Sequence, residues 1–419
     1  MTHLVFLNFI LYKNKAALNL VALAAIQGAN ALIPILFFPY LVFILGTTLF
    51  AKLVAFEAVA LYVVTVSLYS FEVIGVQRLI EAKGRGRDEI SRVYFEILYT
   101  RIFLFLVSCF IVLAIFYLFF PHDLIYAAMW MLLPLGQVFQ SNYYYQAVER
   151  NFANALIIIL SRFSFIAVGY FFVKGVDDVF LAHALIPLSY LVSGLFSVAL
   201  IAKQLESLPP YIRANVIWET LCSGWVLFFG NLAVVLYRNS NILILTAVSG
   251  NVVAISAYAV AEKLVKMLQA ICTPLNQLFF PRVISALQLE KSLPVTVIWK
   301  YTKPQIVIFI LFLPVVIFLA YIDLSYRQYI FNKDIFPIFI IMSFAPLFGI
   351  ANFMFGMVGL SAVKKSGSFA QGTVLAGFSS VALCIASSQF FSTYGAAFSY
   401  LLAEVILFLY VILVINKAN

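Results

Sequence analysis

Long, uninterrupted apolar runs are the feature that most constrains what this chain can fold into. Twelve of them, each of about twenty residues or more, follow one another from residue 18 to residue 415. A helix rises about 1.5 Å per residue, so each run can cross a bilayer hydrocarbon core of about 30 Å. Transmembrane β-strands would instead alternate in polarity over about ten residues. The predicted spans are 18–45, 50–74, 95–119, 124–147, 152–174, 179–202, 223–248, 251–277, 304–322, 335–360, 372–391 and 394–415.

The composition also indicates an all-α polytopic membrane protein. Hydrophobic residues make up 64% of the 419-residue chain and charged residues 10%, whereas a soluble domain carries about 25% charged residues. The net charge of +9 does not indicate nucleic-acid binding, because the charges lie in short segments between apolar runs. No cysteine pair has metal-ligand spacing and no P-loop occurs, so no metal, cofactor or catalytic residue is predicted.

The distribution of Lys and Arg predicts the orientation of the chain. With the N-terminus inside, eighteen of the 26 cations lie in cytoplasmic segments, Arg101 among them, and four lie on the opposite side. The remaining four fall inside apolar runs. Because cytoplasmic loops carry the excess of Lys and Arg, both termini are predicted to be cytoplasmic.

A faint internal duplication divides the chain into two halves. Similar segments contain Pro134 and Pro346, which are 212 positions apart, and another pair contains Arg78 and Arg282, which are 204 apart. Repeated halves are a common way to build a transporter with its site at their interface. The predicted organisation is an interfacial segment 1–17, an N-lobe 18–202 with six spans, a cytoplasmic linker 203–219 and a C-lobe 220–419 with six more.

Four cations interrupt the apolar runs near the middle of the membrane. Each costs about 2.5–3.5 kcal/mol on insertion scales, so each is expected to face protein or a wet lumen. Glu57, Glu262 and Glu404 lie at comparable depth, which leaves the predicted lumen basic on balance. Such a lumen suits an anionic substrate, and guanidinium groups suit phosphate oxygens. The four cations are Arg162, Arg238, Lys263 and Lys266.

The polar residues of the eighth span share one face of the predicted helix. They form a stripe about 80° wide opposite an apolar face, which is typical of a helix that lines a wet cavity. The alternative is that Glu262 and Lys266, four residues apart, only neutralise one another. Amides in the first and fourth spans suit either sugar hydroxyls or contacts between helices. The stripe comprises Glu262, Lys266, Gln269, Thr273 and Asn276, and the amides are Gln27, Asn30 and Gln140.

Two further features receive structural interpretations. Tyr143, Tyr144 and Tyr145 lie near the cytoplasmic end of the fourth span and predict an interfacial aromatic belt rather than a platform for stacking sugars. His183 stands alone at the start of the sixth span. It is predicted to be a hydrogen-bonded structural residue.

Three segments carry a resemblance to a known family. They are "NALIPILFFPYLVFILG", "LPLGQVFQSNYYYQAVER" and "ILILTAVSGNVVAISAYAVAEKLVKMLQAICTPLNQLFFPRVISAL". The chain resembles the O-antigen flippases (Wzx type) in the polysaccharide-transporter branch of the MOP superfamily, to which the MATE transporters also belong. One departure is that "QVFQSNYYYQAVE" replaces a W-x-F-Q-G-x-E type pattern, of which Gln140 and Glu149 are the remnants. The resemblance implies two six-helix bundles around a central cavity.

The resemblance also implies a transporter that is not an enzyme. Its cargo would be undecaprenyl pyrophosphate carrying an oligosaccharide repeat unit, moved by alternating access from the cytoplasmic to the periplasmic leaflet of a bacterial inner membrane. The lumen cations would bind the anionic head group. Glu57 and Glu262 are candidates for coupling to a proton or sodium gradient. Expected partners are this substrate, membrane lipids and other polysaccharide-assembly membrane proteins.

Other functions remain open. A MATE-like multidrug antiporter would need an anionic cavity for cationic drugs, and a membrane-embedded polymerase or ligase would need a longer outer loop than "YIDLSYRQYIFNKD". A solute or anion channel is a third alternative. For a flippase, the double substitution Arg238→Ala with Lys263→Ala is expected to abolish surface polysaccharide and leave protein abundance unchanged.

Overall fold

The computed structural model shows helices and no strand in the residues that it describes, which are 21–22, 25–30, 33–205, 214–248, 250–288, 295–326, 334–360 and 365–417. The predicted interfacial segment 1–17 and residues 206–213 of the predicted linker lie outside this part of the chain. A π-helical turn, Ile33–Phe37, precedes the first long helix. The helices are α1 Phe38–Leu68, α2 Phe71–Lys83, α3 Arg87–Phe119, α4 Leu124–Trp130, α5 Leu132–Phe139, α6 Asn142–Ala147, α7 Asn151–Phe172, α8 Val179–Leu205, α9 Ala214–Val248, α10 Val252–Gln288, α11 Val295–Tyr326, α12 Ile335–Ser343, α13 Ala345–Ala351 and α14 Ser366–Asn416, with a π-helix Asn352–Leu360 after α13.

The helices have the length and apolar composition that a polytopic membrane protein requires. In the described part of the chain, nine helical segments are long and apolar enough to cross a bilayer. One of them, Gly367–Asn416, has 50 residues and covers both of the last two predicted spans. Its backbone leaves the helical region at Ser392 (φ 49°, ψ −125°), between those spans. The all-α membrane fold is confirmed, and the number of twelve spans stays a prediction.

The first two predicted spans meet at a single glycine. Gly46 has φ 76° and ψ 169° inside α1, a conformation that glycine adopts without the steric cost of a Cβ. The short loop expected between residues 45 and 50 is therefore one sharp change of direction within α1.

The fourth and tenth spans, which the internal duplication pairs, are both interrupted. In the fourth span, Gln140 and Ser141 are non-helical between α5 and α6. In the tenth, the chain changes from α13 to the π-helix at Asn352. Gln140 and Asn352 are buried amides, and they are 212 positions apart, like the two prolines. Asn352 keeps helical φ and ψ, unlike Gln140, so the duplication stays a prediction.

The chain forms two compact units. The first comprises the described residues up to Phe37 together with Ala60–Trp225, and the second comprises Phe38–Val59 and the described residues from Val226 onward. The assignment of 18–202 and 220–419 to two lobes stays a prediction.

Close helix packing in the first unit depends on two glycines. A Cβ at Gly136 in α5 would lie 2.3 Å from the backbone carbonyl carbon of Tyr190 in α8, and one at Gly194 would lie 2.2 Å from the Gly136 oxygen. Small residues of this kind let the backbones of membrane helices approach each other. The second unit has an apolar core built from α10, α11, the π-helix and α14, which includes Val283, Ile298, Met354, Leu407 and Val411.

The three consecutive tyrosines are buried in the first unit, so the predicted interfacial belt is wrong. The Tyr143 ring lies beneath the guanidinium of Arg101, whose Cζ is 4.3 Å from the ring centroid. Arg101 is itself fully buried in α3 and donates from Nη2 to Glu72 Oε1 at 2.9 Å. It is therefore an internal cation, although the count of loop charges placed it in a cytoplasmic segment.

His183 has the structural role that its isolation predicts. The side chain is buried, and its Nδ1 accepts a hydrogen bond from Trp130 Nε1 at 2.9 Å. This contact joins α4 to α8 in the first unit, and the prediction is confirmed.

Candidate functional site

Three of the four predicted lumen cations lie in the second unit, and each is paired with a carboxylate. The helices that carry them are α9 and α10, which places all three in regular secondary structure. The surplus of positive charge that the sequence predicts at this level is therefore largely neutralised. The pairs are Arg238–Glu404 with Nη2 and Oε1 3.3 Å apart, Lys263–Glu57 with Nζ and Oε2 2.6 Å apart, and Lys266–Glu262 one helical turn apart.

Two of these pairs combine an accessible cation with a buried carboxylate. The Arg238 side chain is 38% exposed and Glu404 is 1% exposed. Lys266 is 27% exposed and Glu262 is not exposed at all. Each of these cations therefore keeps part of its side chain accessible while its carboxylate partner is enclosed. The Nε atom of Arg238 is buried and has no hydrogen-bond partner among the described residues.

Glu404 is held by three hydrogen-bond donors from two other elements. Its Oε1 accepts from Tyr237 Oη at 3.2 Å and from Arg238 Nη2 at 3.3 Å. Its Oε2 accepts from Asn352 Nδ2 at 2.8 Å, and the same amide donates to the Glu404 backbone oxygen at 3.0 Å. A buried carboxylate with this many donors is well compensated. It anchors the guanidinium of Arg238 at one edge.

The polar stripe of the eighth span lies on one continuous helix, α10. Lys266 contacts Glu262 and also donates from Nζ to Asn239 Oδ1 at 2.9 Å. Gln269 Nε2 donates to Tyr400 Oη at 2.9 Å. Asn276 is half-buried and its Oδ1 accepts no hydrogen bond, whereas the side chain of Thr273 lies outside the described part of the structure. The stripe is helical as expected, and its role as a lumen lining stays a prediction.

Lys263 and Glu57 form a pair of a different kind. The Lys263 side chain is buried at 8% exposure, and the Glu57 side chain is mostly enclosed at 14%. Lys263 Nζ also lies 4.9 Å from the centroid of the Phe38 ring. The pair joins α10 to α1 within the second unit. With both charges enclosed, this contact has the geometry of a structural ion pair.

Arg162 lies in the first unit and has no carboxylate partner among the described residues. It is fully buried in α7, donates from Nη1 to Ser189 Oγ at 3.1 Å and stacks on Tyr190, with Cζ 3.5 Å from the ring centroid. Its Nε and Nη2 atoms are buried without hydrogen-bond partners. The guanidinium borders a small pocket with apolar walls, lined by Ile33, Phe37, Phe165, Ile166, Leu185 and Ile186.

The predicted amides in the first unit occupy three different environments. Gln27 is exposed, and Asn30 is half-buried with an Oδ1 atom that accepts no hydrogen bond. Gln140 is buried at the break between α5 and α6, and its Oε1 also accepts no hydrogen bond. Their predicted role in binding sugar hydroxyls stays a prediction.

Sequence reasoning did not identify the group around Glu404. The sequence indicates Glu404 only as a mid-membrane carboxylate, because its partners Tyr237 and Asn352 lie 167 and 52 positions away along the chain. One signal was available for Asn352, since the repeat offset of 212 relates it to the predicted site residue Gln140. Only the packing of α9, the π-helix and α14 shows that these groups meet.

Known proteins resemble this chain in sequence and in fold. Residues 17–288 match the family model described as "Polysaccharide biosynthesis protein". Two curated relatives are both named "Putative O-antigen transporter". That from Escherichia coli (strain K12) is 25% identical over 68% of this chain and 70% of its own length. That from Shigella dysenteriae is 23% identical over 63% of this chain and 66% of its own length.

A solved structure shows the fold. It is the inward-facing conformation of a multidrug resistance MATE family transporter of the MOP superfamily, with a TM-score of 0.58 and 13% identity, over 96% of this chain and 95% of that protein. At that identity the likeness concerns the fold alone. Together with the family match, it confirms the resemblance to the MOP superfamily that the sequence motifs carry.

Proposed function

Because this chain belongs to the polysaccharide biosynthesis protein family, we propose that it is a flippase for lipid-linked oligosaccharides. The cargo is an O-antigen or related repeat unit attached to undecaprenyl pyrophosphate. The protein carries it from the cytoplasmic to the periplasmic leaflet of a bacterial inner membrane. The names of the curated relatives, both O-antigen transporters, support this assignment.

The observation that carries the proposal is the pair of accessible cations in the second unit, at positions near the middle of predicted spans. Arg238 and Lys266 each keep part of the side chain accessible while a buried carboxylate holds the opposite side. Charges at this depth are costly, and intramembrane ionisable residues are typically functional. A pyrophosphate presents several anionic oxygens, so one guanidinium and one ammonium group can bind it together.

The proposed transport cycle uses alternating access. The head group enters the polar interior, where the cations reduce the cost of removing its charge from water, and the polyprenyl tail remains in the bilayer. A conformational change then opens the site to the other side. No nucleotide chemistry is needed, and direction comes from a proton or sodium gradient or from consumption of the cargo after export.

A binding experiment tests the site directly. Inorganic pyrophosphate is titrated into purified protein in lipid nanodiscs, and binding is followed by isothermal calorimetry. Arg238→Ala and Lys266→Ala are each expected to weaken binding about tenfold or more, since each charge-assisted contact is worth about 1.5–3 kcal/mol. Arg85→Ala, which removes a cation that is 71% exposed outside the site, serves as the control and should bind like wild type.

A transport experiment tests the cargo. Cells that lack the protein should accumulate lipid-linked repeat units on the cytoplasmic leaflet, and proteoliposomes that contain it should move a fluorescent lipid-linked oligosaccharide between leaflets. Arg238→Ala should abolish both rescue and movement. Sensitivity to cationic drugs without accumulation of the glycolipid would instead support the multidrug antiporter.

A further inference from the structure

We infer that the buried carboxylates Glu404 and Glu262 limit the affinity of the site for its anionic ligand and so permit release of the head group. This inference rests on the proposed function, in which Arg238 and Lys266 bind the pyrophosphate. In this role the two acids set the affinity of the site for its ligand, which is a different role from stabilising the fold.

The first argument is the asymmetry of the two pairs. In a structural ion pair both partners are enclosed, as Lys263 and Glu57 are. In the Arg238–Glu404 pair, by contrast, only the acid is enclosed and the cation remains accessible. The Lys266–Glu262 pair repeats this arrangement. Each accessible cation therefore has an enclosed negative charge beside it.

The second argument is that Glu404 does not depend on Arg238 for its position. Tyr237 and Asn352, both neutral, donate hydrogen bonds to its two carboxylate oxygens. When Arg238 turns part of its hydrogen bonding toward a ligand, the carboxylate stays in place. Its negative charge then continues to repel an anion bound on the far edge of the guanidinium, because the interior screens charges less than water does.

A transport site needs an upper limit on its affinity for the ligand. A ligand must bind strongly enough to enter the site and weakly enough to leave it on the other side. Two cations without counter-charges, enclosed in the protein, would hold a pyrophosphate tightly and slow its release. With one acid behind each cation, the empty site has a net charge close to zero and the bound anion is less strongly held.

The test uses glutamine substitutions, which remove a charge and keep the shape. Glu404→Gln still offers an oxygen to accept hydrogen bonds from Tyr237 or Arg238, so Arg238 keeps its anchor. We expect Glu404→Gln and Glu262→Gln each to tighten pyrophosphate binding about tenfold, or about 1.4 kcal/mol. Glu89→Gln is the matched control: it removes the acid of an exposed Arg85–Glu89 pair outside the site and should leave the affinity unchanged.

Transport kinetics give a second readout that a purely structural role would not produce. In the proteoliposome assay, Glu404→Gln should lower both the apparent KM and the maximal rate of movement, since tighter binding slows release. A thermal unfolding curve for each variant shows that it is folded, and Glu262→Gln provides an independent test where Glu404→Gln is unstable.

The outcomes separate this inference from the proposed function. If both glutamine variants fold but bind pyrophosphate no more tightly than wild type, the inference is overturned. Arg238-dependent binding in wild type would in that case still support the proposed site. An equal gain in affinity for Glu89→Gln would also overturn it, because the effect would then follow from net charge alone. Absence of Arg238-dependent binding in wild type would instead remove the proposed site itself.

Discussion

At the scale of single residues, the structure separates four cations that the sequence treats alike. Arg238 and Lys266 are accessible, Lys263 is enclosed with Glu57, and Arg162 is buried on the face of Tyr190. These environments predict different consequences for substitution. Loss of an accessible cation should affect the ligand, and loss of an enclosed one should affect the fold.

Lys263 is the clearest example of an enclosed cation whose loss should affect the fold. Removing one partner of a buried ion pair costs about 3–5 kcal/mol, because the other charge is left uncompensated, whereas removing both is often close to neutral. Lys263→Met should therefore lower the unfolding temperature, and Lys263→Met with Glu57→Leu should recover most of the loss. Thermal unfolding of the purified variants measures both.

This expectation revises the one drawn from the sequence, in which loss of Lys263 together with Arg238 leaves protein abundance unchanged. If Lys263→Met alone keeps the stability of wild type but loses pyrophosphate binding, Lys263 is a ligand-binding residue after all. The revision follows from the 2.6 Å contact with Glu57, which joins residues 206 positions apart and has no local signature in the sequence.

At the scale of helices, the first unit depends on contacts that only glycine permits. Adding one methyl group at Gly136 would place it 2.3 Å from the Tyr190 backbone, and backbone atoms cannot move aside as a flexible side chain can. Overpacking of this kind costs about 1–3 kcal/mol. Gly136→Ala should therefore destabilise the protein and lower its unfolding temperature in detergent.

A second glycine serves as the control for that experiment. Gly28 lies in the helical residues 25–30, and in the described part of the chain no atom of another element comes within 4 Å of a Cβ built upon it. Gly28→Ala should leave stability unchanged or raise it slightly, since alanine favours helix. Equal behaviour of the two variants would contradict close packing of α5 on α8.

At the scale of the whole molecule, the distribution of Lys and Arg predicts an orientation that fusion proteins can test. Alkaline phosphatase fused after Gly175, in a predicted outer segment, should be active in E. coli, and the same enzyme fused after Gly84 should be inactive. Green fluorescent protein at the C-terminus should fluoresce. The reverse pattern at Gly175 and Gly84 would show that the chain is inserted the other way round.

Part of the observed fold follows directly from the sequence. The long apolar runs specify membrane helices because an unpaired backbone is so costly in hydrocarbon. The repeat offset of 212 also relates two single residues, the buried amides Gln140 and Asn352. The break at Ser392 inside α14 also lies where the sequence predicts it, between the spans 372–391 and 394–415.

The amino-acid sequence by itself determined that this is a helical membrane protein with ionisable groups inside its apolar runs, because hydrophobicity and charge act locally along the chain. Only the tertiary structure decided which of those charges are available. A cation's accessibility depends on which distant carboxylate and aromatic ring pack against it, and the partners of Arg238 and Lys263 lie 166 and 206 positions away. Electrostatic energy depends on the distances between charges in space, and tertiary packing sets those distances.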